Sequence, residues 1–580
     1  MAKIKDPSKL EVLKNSFEGI ADGMALTIIR TSRSSVVRSG LDFSTAVLSA
    51  TGELVGQGMC QPIHLGGMMP ALESCLARYK DNINPGDIFI NNDPYEGGSH
   101  LPDIFLYKPI FAGNTIVAYG CAMAHQTDIG GRVPGGNACD STEIYQEGLR
   151  IPPLKLYANH EPNETIFRLL EKAVRVPDKV LGDVAGQLAA LQYAEQEVLR
   201  IVDRFGPEEI IQSQDELIDY TETLTRNALR SLPDGQWSFT DYIGDDGITD
   251  DIIPIQVNLT KTSDNIIVDF EGTGPQCKGA IQPVFATTKA MVYAALKNVL
   301  GIISDIPNTS GYFKPVTVTA PIGTFVNPLP PAPVAARNLG CIRIHQAVLG
   351  AFAQMLPDKI FACSGGCEFG VSMAGYDKDE TPWKPWVQLE FQNECAVGAR
   401  PFKDGEDGQG AGASNQSNIP VETMEAETPL IIESYGFLQD TEGAGKFRGG
   451  MGTIRSYRYL QDDTLVQVRS DRMKVAPFGL NKGEGSFPTK IFIDGQQQTT
   501  SKFIKTVAAG TVLSVEMPGA GGWGTPLDRD PYLVLDDFIE EKISAKRARD
   551  TYGVVLDESH RTVNFQDTES LRKKMRSQYD

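Results

Sequence analysis

Apolar residues spaced for a helix open the chain, and shorter apolar runs follow. From Leu10 to Ile28 they recur every three or four residues behind an Asp6-Pro7 start signal, which predicts an amphipathic helix. From Leu41 to about Tyr157 the pattern changes to brief apolar runs between turns rich in Gly and Asp. Such runs are typical of strands joined by loops, here at Ala46–Leu48, Asp87–Asn91, Ile104–Phe111 and Thr115–Ala122.

The middle of the chain alternates helical and β patterns. Apolar residues keep to one face from Leu181 to Ile201, so residues 163–232 predict a helical hairpin or a small bundle. Strands are predicted next, at Trp237–Ile243, Ile252–Leu259 and Asn265–Phe270. Helices at about 286–300 and 341–356 flank a Pro-rich passage at 328–333, which predicts an ordered crossing between them.

Gly-rich and polar runs at residues 401–450 predict loops packed on other structure, before a third β section from about Thr453 to Val515 and a charged, helical tail from Asp530. The patterns together predict an α+β fold, multidomain, with mixed sheets and helical segments. We predict five regions: 1–160, a metal-site α/β region; 161–235, helical; 236–400, a second α/β region; 401–530, Gly-rich loops and β structure; and 531–580, a C-terminal helical tail.

Composition and charge narrow the functional classes. The 580 residues are 41% hydrophobic and 22% charged, as in ordinary soluble chains, and 54 basic against 74 acidic residues give a net charge of −20. Such a charge repels nucleic acid and anionic membranes. No apolar run approaches membrane-spanning length, and the first residues lack a signal-peptide core. We therefore expect a cytoplasmic protein without a nucleic-acid or membrane partner.

The cysteines point away from a disulfide framework. Nine are spread along the chain, an odd number that favours a reduced compartment. Cys363 and Cys367 form the one close pair, but no second Cys or His pair stands near them, so the sequence favours a Gly-Gly turn over a zinc site there.

Two of the six histidines stand in suggestive surroundings. His100 follows a turn-rich loop that leaves a predicted strand, and Asp103 comes three residues later. His125 ends another strand-like run, and Asp128 follows it. Imidazole and carboxylate ligands together suit zinc, manganese or iron(II), and two or three of them leave a position open for water or substrate. Spacing alone leaves two interpretations, a metal site or polar loop residues bonded to one another.

Asp42 and His64 are weaker candidates. Asp42 lies just before a predicted strand and could serve as a fourth ligand or a base, although the sequence alone favours a turn or ion-pair aspartate. His64 could line the same cleft or satisfy a buried backbone group.

Motifs for nucleotide binding and for a nucleophile are absent. Asp128-Ile129-Gly130-Gly131-Arg132 is similar to an actin-like phosphate loop, but Arg132 replaces the hydroxyl residue. Gly445-Lys446 is followed by Phe447, not by the Ser or Thr of a Walker A loop, and no Gly-x-Ser-x-Gly elbow occurs. These absences fit a metal-activated water that works with an energy-supplying partner.

Several motifs carry a resemblance to a known family. The stretches 91–103, Asn-Asn-Asp-Pro-Tyr-Glu-Gly-Gly-Ser-His-Leu-Pro-Asp, and 124–131, Ala-His-Gln-Thr-Asp-Ile-Gly-Gly, resemble the hydantoinase B / 5-oxoprolinase family. Further similar blocks lie at 141–153, 403–408, 443–450 and 519–526. The family includes N-methylhydantoinase and caprolactamase beta-type subunits, 5-oxoprolinases, and subunits of acetone and acetophenone carboxylases.

The resemblance implies a metal in this chain and ATP on a hydantoinase A-type partner, commonly in a two-plus-two heterotetramer. The family's ligand pattern matches His100, Asp103 and His125, and a family aspartate near the site matches Asp42. Zinc is the expected metal and manganese the alternative, since branches of the family differ.

The resemblance also implies a reaction, the ATP-dependent opening of a small cyclic amide such as a lactam, a hydantoin or 5-oxoproline. The partner would phosphorylate the amide oxygen, and a metal-activated water would attack while Asp42 or Asp128 takes the proton. Two alternatives stay open, a subunit of an ATP-dependent ketone carboxylase and a non-catalytic scaffold subunit.

Overall fold

The structure is a computed structural model that describes residues 5–58, 61–365, 369–391, 396–410 and 412–577. Its first helix forms as predicted, because the Asp6 carboxylate caps it by accepting a hydrogen bond from the backbone N–H of Lys9 and Pro7 fits the first turn. The first region contains helices α1 (Pro7–Thr31), α2 (Ser35–Arg38) and α3 (Pro62–Tyr79), and strands β1 (Phe43–Ser49), β2 (Leu54–Gln57), β3 (Ile88–Asn91), β4 (Asp103–Ala112), β5 (Thr115–His125), β6 (Leu154–Ala158) and β7 (Glu161–Pro162).

These seven strands form one antiparallel sheet in the order β2-β1-β5-β4-β3-β6-β7. Both of its faces are covered, which explains why β1 and most of β4 and β5 are buried throughout. One face packs against α1 and the long helix at Pro177–Phe205, and α3 covers the other through residues such as Leu72 and Cys75.

The predicted helical region forms as α4 (Glu164–Ala173), α5 (Pro177–Phe205) and α6 (Pro207–Arg230). Helix α5 lies along α1 and along strands β4 and β5. The second α/β region contains β8 (Gly235–Ile243), β9 (Ile253–Thr262), β10 (Asn265–Asp269), α7 (Phe285–Leu300), β11 (Val316–Thr319) and α8 (Asn338–Met355). Its sheet is mixed, since β10 and β11 run parallel and the other pairs antiparallel, and α7 and α8 share one buried cluster with it.

The next nine strands form two sheets that pack on each other. They are β12 (Gly370–Asp377), β13 (Lys384–Glu390), β14 (Leu430–Phe437), β15 (Thr453–Tyr459), β16 (Thr464–Arg469), β17 (Lys490–Ile493), β18 (Gln496–Gln497), β19 (Lys502–Val507) and β20 (Val512–Glu516), with a short helix α9 (Val421–Glu427). One sheet has the order β13-β12-β16-β19 and the other β14-β15-β20-β17-β18. The tail forms α10 (Pro531–Ile539), α11 (Ala545–Asp550), a hairpin of β21 (Leu556–Asp557) and β22 (Thr562–Val563), and α12 (Phe565–Arg576).

The α+β class with mixed sheets is therefore confirmed, while three local expectations differ. Helix α3 occupies a segment where only strands and loops were expected, and α9 and β14 lie within the predicted Gly-rich loops. Strand β12 pairs with β13 on one side and with β16 on the other, so this sheet crosses the predicted boundary at residue 400. The five-region division stays a prediction. Cys367 lies outside the described residues, and no helix among those described is long and apolar enough to cross a membrane.

Candidate metal centre

Strand register brings the predicted site residues to one edge of the first sheet. Asp103, the first residue of β4, lies directly opposite His125, the last residue of β5. Asp42 precedes β1, the neighbour of β5 on its other side, and its backbone oxygen accepts a hydrogen bond from the His125 N–H at 3.0 Å. Residues more than 80 apart in sequence thus meet because their strands start or end together.

His100 reaches the same point from the loop between β3 and β4. The Asn92 side chain fixes this loop by donating to the backbone oxygens of Leu101 and Leu149, at 2.6 and 2.9 Å. Gly97 has a φ of 92° and lies against α3, where a Cβ would come within 2.4 Å of the Pro70 backbone. The Gly-rich sequence therefore lets the loop lie close against α3.

His100, Asp103 and His125 form a buried group whose candidate ligand atoms all lie within 4.8 Å of one another. The His100 Nδ1 lies 2.7 Å from the Ala335 carbonyl oxygen, which can only accept, so Nδ1 carries the proton and Nε2 keeps a free lone pair. That Nε2 lies 3.1 Å from Asp103 Oδ1. His125 Nδ1 is buried and has no hydrogen-bond partner among the described residues. An orphaned imidazole nitrogen beside a second free nitrogen and a carboxylate fits a divalent metal.

The other oxygen of Asp103 is held from outside the group. Asp103 Oδ2 accepts hydrogen bonds from the Ser99 hydroxyl and the Arg337 guanidinium. Burial alone would raise the pKa of Asp103, but the neighbouring His100 and Arg337 outweigh it and hold that pKa well below its usual value. Asp103 is therefore kept as a carboxylate, the form that binds a metal.

Asp42 and His64 join the same cluster. His64 Nε2 lies 3.6 Å from Asp42 Oδ1 and 3.9 Å from Asp103 Oδ2, and its Nδ1 is 2.9 Å from the Ser44 hydroxyl oxygen. Burial and the charge of Asp103 raise the pKa of Asp42 to about 7, while burial lowers the pKa of His64 to about 3. The structure thus brings together two candidates that the sequence alone could not assign.

Asp128 stands apart from this cluster. Its Oδ1 accepts from the Gly135 N–H at 2.8 Å and from the Arg175 guanidinium at 3.1 Å, and its Oδ2 accepts from the Arg175 backbone N–H at 2.6 Å. Asp128 is fully buried and is not among the residues that line the adjoining cavity. The structure therefore gives its carboxylate a role in holding two backbone segments together.

A cavity of about 590 Å³, including the solvent at its mouth, opens beside the cluster. Its lining includes both histidines of the candidate centre and, from other regions of the chain, Asn137, Phe391, Gln416 and Arg469. Burial lowers the pKa of Arg469 to about 10, and its guanidinium carbon lies 4.4 Å from the centre of the Phe391 ring.

Comparisons with known proteins agree with this site and fold. The family model described as Hydantoinase B/oxoprolinase matches residues 6–526. The chain belongs to that family. As a hydantoinase B-type chain, it is 34% identical over 576 residues to a protein of Methanocaldococcus jannaschii, covering 98% of this chain and all of that one.

Solved structures also match the chain. Caprolactamase subunit beta of Pseudomonas jessenii is 31% identical over 568 residues, covering 95% of this chain and 96% of that protein. The crystal structure of ATP-dependent caprolactamase from that organism matches with a TM-score of 0.87 at 30% identity, covering 98% of this chain and 100% of the matched one. A nucleotide-free acetone carboxylase structure gives a TM-score of 0.92 at 17% identity, covering 99% and 83%, which shows the fold alone.

Sequence reasoning missed several residues around the hydantoinase B-type site. Ser99 lies inside the motif at 91–103, so its place beside His100 was the one available signal. Arg337 follows the Pro-rich crossing and Arg469 ends β16, each more than 230 residues from Asp103. No local pattern connects them to the site, because only the packing of the later regions on the first sheet brings them there.

Proposed function

We propose that this hydantoinase B-type chain is the metal-binding subunit of an ATP-dependent enzyme that opens a cyclic amide. The observation that carries the proposal is the buried group of His100, Asp103 and His125, whose ligand atoms lie within 4.8 Å of one another and whose two histidines line a cavity. Family membership and the ATP-dependent caprolactamase relative support the amide as the substrate class. A lactam, a hydantoin and 5-oxoproline all belong to that class.

In this proposal His100, Asp103 and His125 hold a divalent metal, with zinc expected and manganese as the alternative. Asp42 is a fourth ligand or the base. A metal bound there supplies Lewis-acid chemistry, since it lowers the pKa of water and polarises carbonyl oxygens. Asp128 was the other candidate base, and its bonds to Arg175 and Gly135 support leaving it out.

The chain's own residues prepare the site for the reaction. The Ala335 carbonyl orients the His100 ring, and Ser99 and Arg337 fix the Asp103 carboxylate. As the base, the Asp42 carboxylate, buried at the cavity wall, would accept the proton that the attacking water loses. Ser99, His100, Asp103 and Arg337 are buried, which makes these interactions stronger than they would be in water.

We assign ATP to a separate subunit of the hydantoinase A type, in a two-plus-two heterotetramer. That subunit phosphorylates the amide oxygen, which turns a poor electrophile into one with a good leaving group. Two comparisons support this division: the Pseudomonas jessenii relative is named as a subunit beta, and the matching caprolactamase structure is that of an ATP-dependent enzyme.

The test uses His100→Ala in the full chain, reconstituted with its partner. We expect bound metal, measured by elemental analysis, and ring opening both to be lost, while ATP-subunit assembly on a sizing column persists. His560→Ala is the matched control, because His560 is exposed and bonds only to its neighbours Asp557 and Ser559. Full metal occupancy in His100→Ala would sink the ligand assignment.

A ketone carboxylase is the second candidate, since the chain shares the fold of acetone carboxylase with a TM-score of 0.92. Labelled bicarbonate with acetone or acetophenone separates the two, since only a carboxylase fixes the label. The scaffold alternative predicts a complex that opens rings with no metal in this chain.

A further inference from the structure

Arg469 is a buried cation at the cavity wall that the proposed function does not use. It is the last residue of β16, is 6% exposed, and lines the same cavity as His100 and His125. Its Nη1 donates to the Ser372 hydroxyl at 3.1 Å and to the Asn137 backbone oxygen at 3.4 Å. Both acceptors are uncharged, so they leave the positive charge of the guanidinium without compensation.

Other buried arginines of the described chain have a carboxylate partner. Arg343 pairs with Asp471 at 2.8 Å, Arg455 with Glu390 at 3.4 Å, and Arg337 with Asp103. For Arg469 no carboxylate lies within ion-pair distance among the residues that the structure describes, and its Nε and Nη2 have no hydrogen-bond acceptor there. Removing a charge from water without a partner is costly, so an arginine kept in this state indicates a ligand that supplies the missing charge.

The surroundings of Arg469 keep the guanidinium close to the candidate metal centre. Its guanidinium lies over the Phe391 ring, and the Phe391 and His125 rings make an edge contact with centres 4.8 Å apart. Gly370 pairs with Arg469 between β12 and β16, and a Cβ at Gly370 would come within 2.7 Å of Arg469 Nε. The Phe391 ring therefore lies next to both the Arg469 guanidinium and the His125 ring, and all three residues line the cavity.

We propose that Arg469 binds an oxyanion of the substrate in this cavity, next to the reacting amide. A guanidinium presents parallel N–H donors that match the two oxygens of a carboxylate or a phosphoryl group. The inference rests on the proposed function in one respect, that the substrate is a cyclic amide. The oxyanion has two sources, a carboxylate carried by the ring or the phosphoryl group that the partner adds to the amide oxygen.

The test is calorimetric titration of the full chain with three probes. They are 5-oxoproline, which is a lactam with a carboxylate, 2-pyrrolidone, which is the same ring without it, and inorganic phosphate. We expect at least one of the two anions to bind more than tenfold tighter than 2-pyrrolidone. Binding of 5-oxoproline alone assigns a ring carboxylate, and binding of phosphate identifies the phosphoryl group. An affinity that is equal for all three, or no binding of either anion, overturns the proposal.

Arg469→Gln should weaken the binding of the anion more than tenfold and leave the affinity for 2-pyrrolidone unchanged. Arg469→Lys keeps the positive charge but loses the parallel N–H donors, so it should weaken the binding of the anion by a smaller factor. This variant also tests the inference if Arg469→Gln does not fold. Lys505→Gln is the matched control, because it removes one positive charge from the neighbouring strand β19 at an exposed position. Wild-type anion affinity in both Arg469 variants contradicts the inference.

The two proposals can fail separately. If the reconstituted complex opens no cyclic amide but Arg469 still governs anion binding, the proposed function fails and the anion site stands. If the complex opens rings and Arg469→Gln leaves its kcat and KM unchanged, the anion site fails alone.

Discussion

Two aspartates of the first region, Asp42 and Asp128, are both buried but have different surroundings. Asp42 faces the cavity beside His64, and burial together with the charge of Asp103 raises its pKa to about 7. The oxygens of Asp128 are instead satisfied by two backbone N–H groups and the Arg175 guanidinium. Position thus separates the two carboxylates, since Asp42 lines the cavity and Asp128 is held away from it by backbone N–H groups and Arg175.

For Asp42→Asn we expect ring opening to fall by about 10²–10⁴-fold, because the amide cannot accept the proton. Stability should be kept, since the variant removes a desolvated carboxylate that lies near another one. Initial rates of the reconstituted complex and thermal unfolding of the chain measure the two effects. Full activity would exclude Asp42 as both ligand and base.

For Asp128→Asn we expect the reverse result. The variant turns one acceptor into a donor that faces N–H groups and leaves Arg175 without its carboxylate, which should cost about 1–3 kcal/mol of unfolding free energy. Urea unfolding measures the loss, and metal content should not change. A stable Asp128→Asn variant without ring opening would return Asp128 to the role of base.

Among the elements, the Gly-rich segments pack backbone against backbone. Gly449 lies where a Cβ would be 1.9 Å from the Ala520 oxygen, and Gly521 would meet the Phe478 oxygen at 2.0 Å. The polar, glycine-dense sequence that predicts loops is therefore packed closely against the end of the β section. Glycine is required there because the two backbone segments approach too closely to leave room for a side chain.

Gly449→Ala should destabilise the chain by about 1–3 kcal/mol or more, because rigid backbone must move to admit the methyl group. Gly436→Ala, in strand β14, is the control, since nothing lies within 4 Å of its Cβ position and alanine suits a strand at least as well as glycine. Urea unfolding of both variants measures the difference. Equal stabilities would contradict the close packing at Gly449.

For the whole molecule, a charge network fastens the C-terminal tail to the Gly-rich loops. Arg529 donates to Asp404 at 2.7 Å and to Asp537 at 2.7 Å, and Arg448 joins Asp537 to Asp407. Burial would raise the pKa of Asp404, but the hydrogen bonds and charges of Arg529 and Arg448 outweigh it, so its pKa lies below its usual value of 3.8. A depressed pKa stabilises the fold above the unfolded value, and that contribution is lost as the pH falls through the folded one.

Arg529→Gln should therefore lower the unfolding free energy by an amount that stays constant between about pH 5 and 7 and shrinks below about pH 4. Urea unfolding at pH 7, 5 and 3.5 measures this trend. Arg576→Gln is the control, because its ion pair with Asp528 is exposed and should contribute little at any of these pH values. A difference that grows as the pH falls would contradict the network.

Local sequence patterns predicted the long helices and most strands of the first two sheets. The apolar spacing of 3.6 residues predicted α1 and α5, and bounded apolar runs predicted β4 and β5. These predictions are correct because each element buries its apolar residues. Helix α3 escaped prediction. Its Gly66, Gly67 and Pro70 interrupt the helical pattern, and Gly66 is needed because α7 comes so close that a Cβ would lie 2.2 Å from the Ala286 oxygen.

The sequence by itself determined the candidate ligands, since His100, Asp103 and His125 stand at loop and strand ends where register brings them together. Their metal remains a prediction. Tertiary structure alone decided what surrounds them: the Arg337 that holds Asp103, the separation of Asp128 from Asp42, and the open guanidinium of Arg469. The physical reason is the separation along the sequence of the residues that interact. Strand register is encoded within a few residues, whereas burial and charge at the site depend on segments hundreds of residues away.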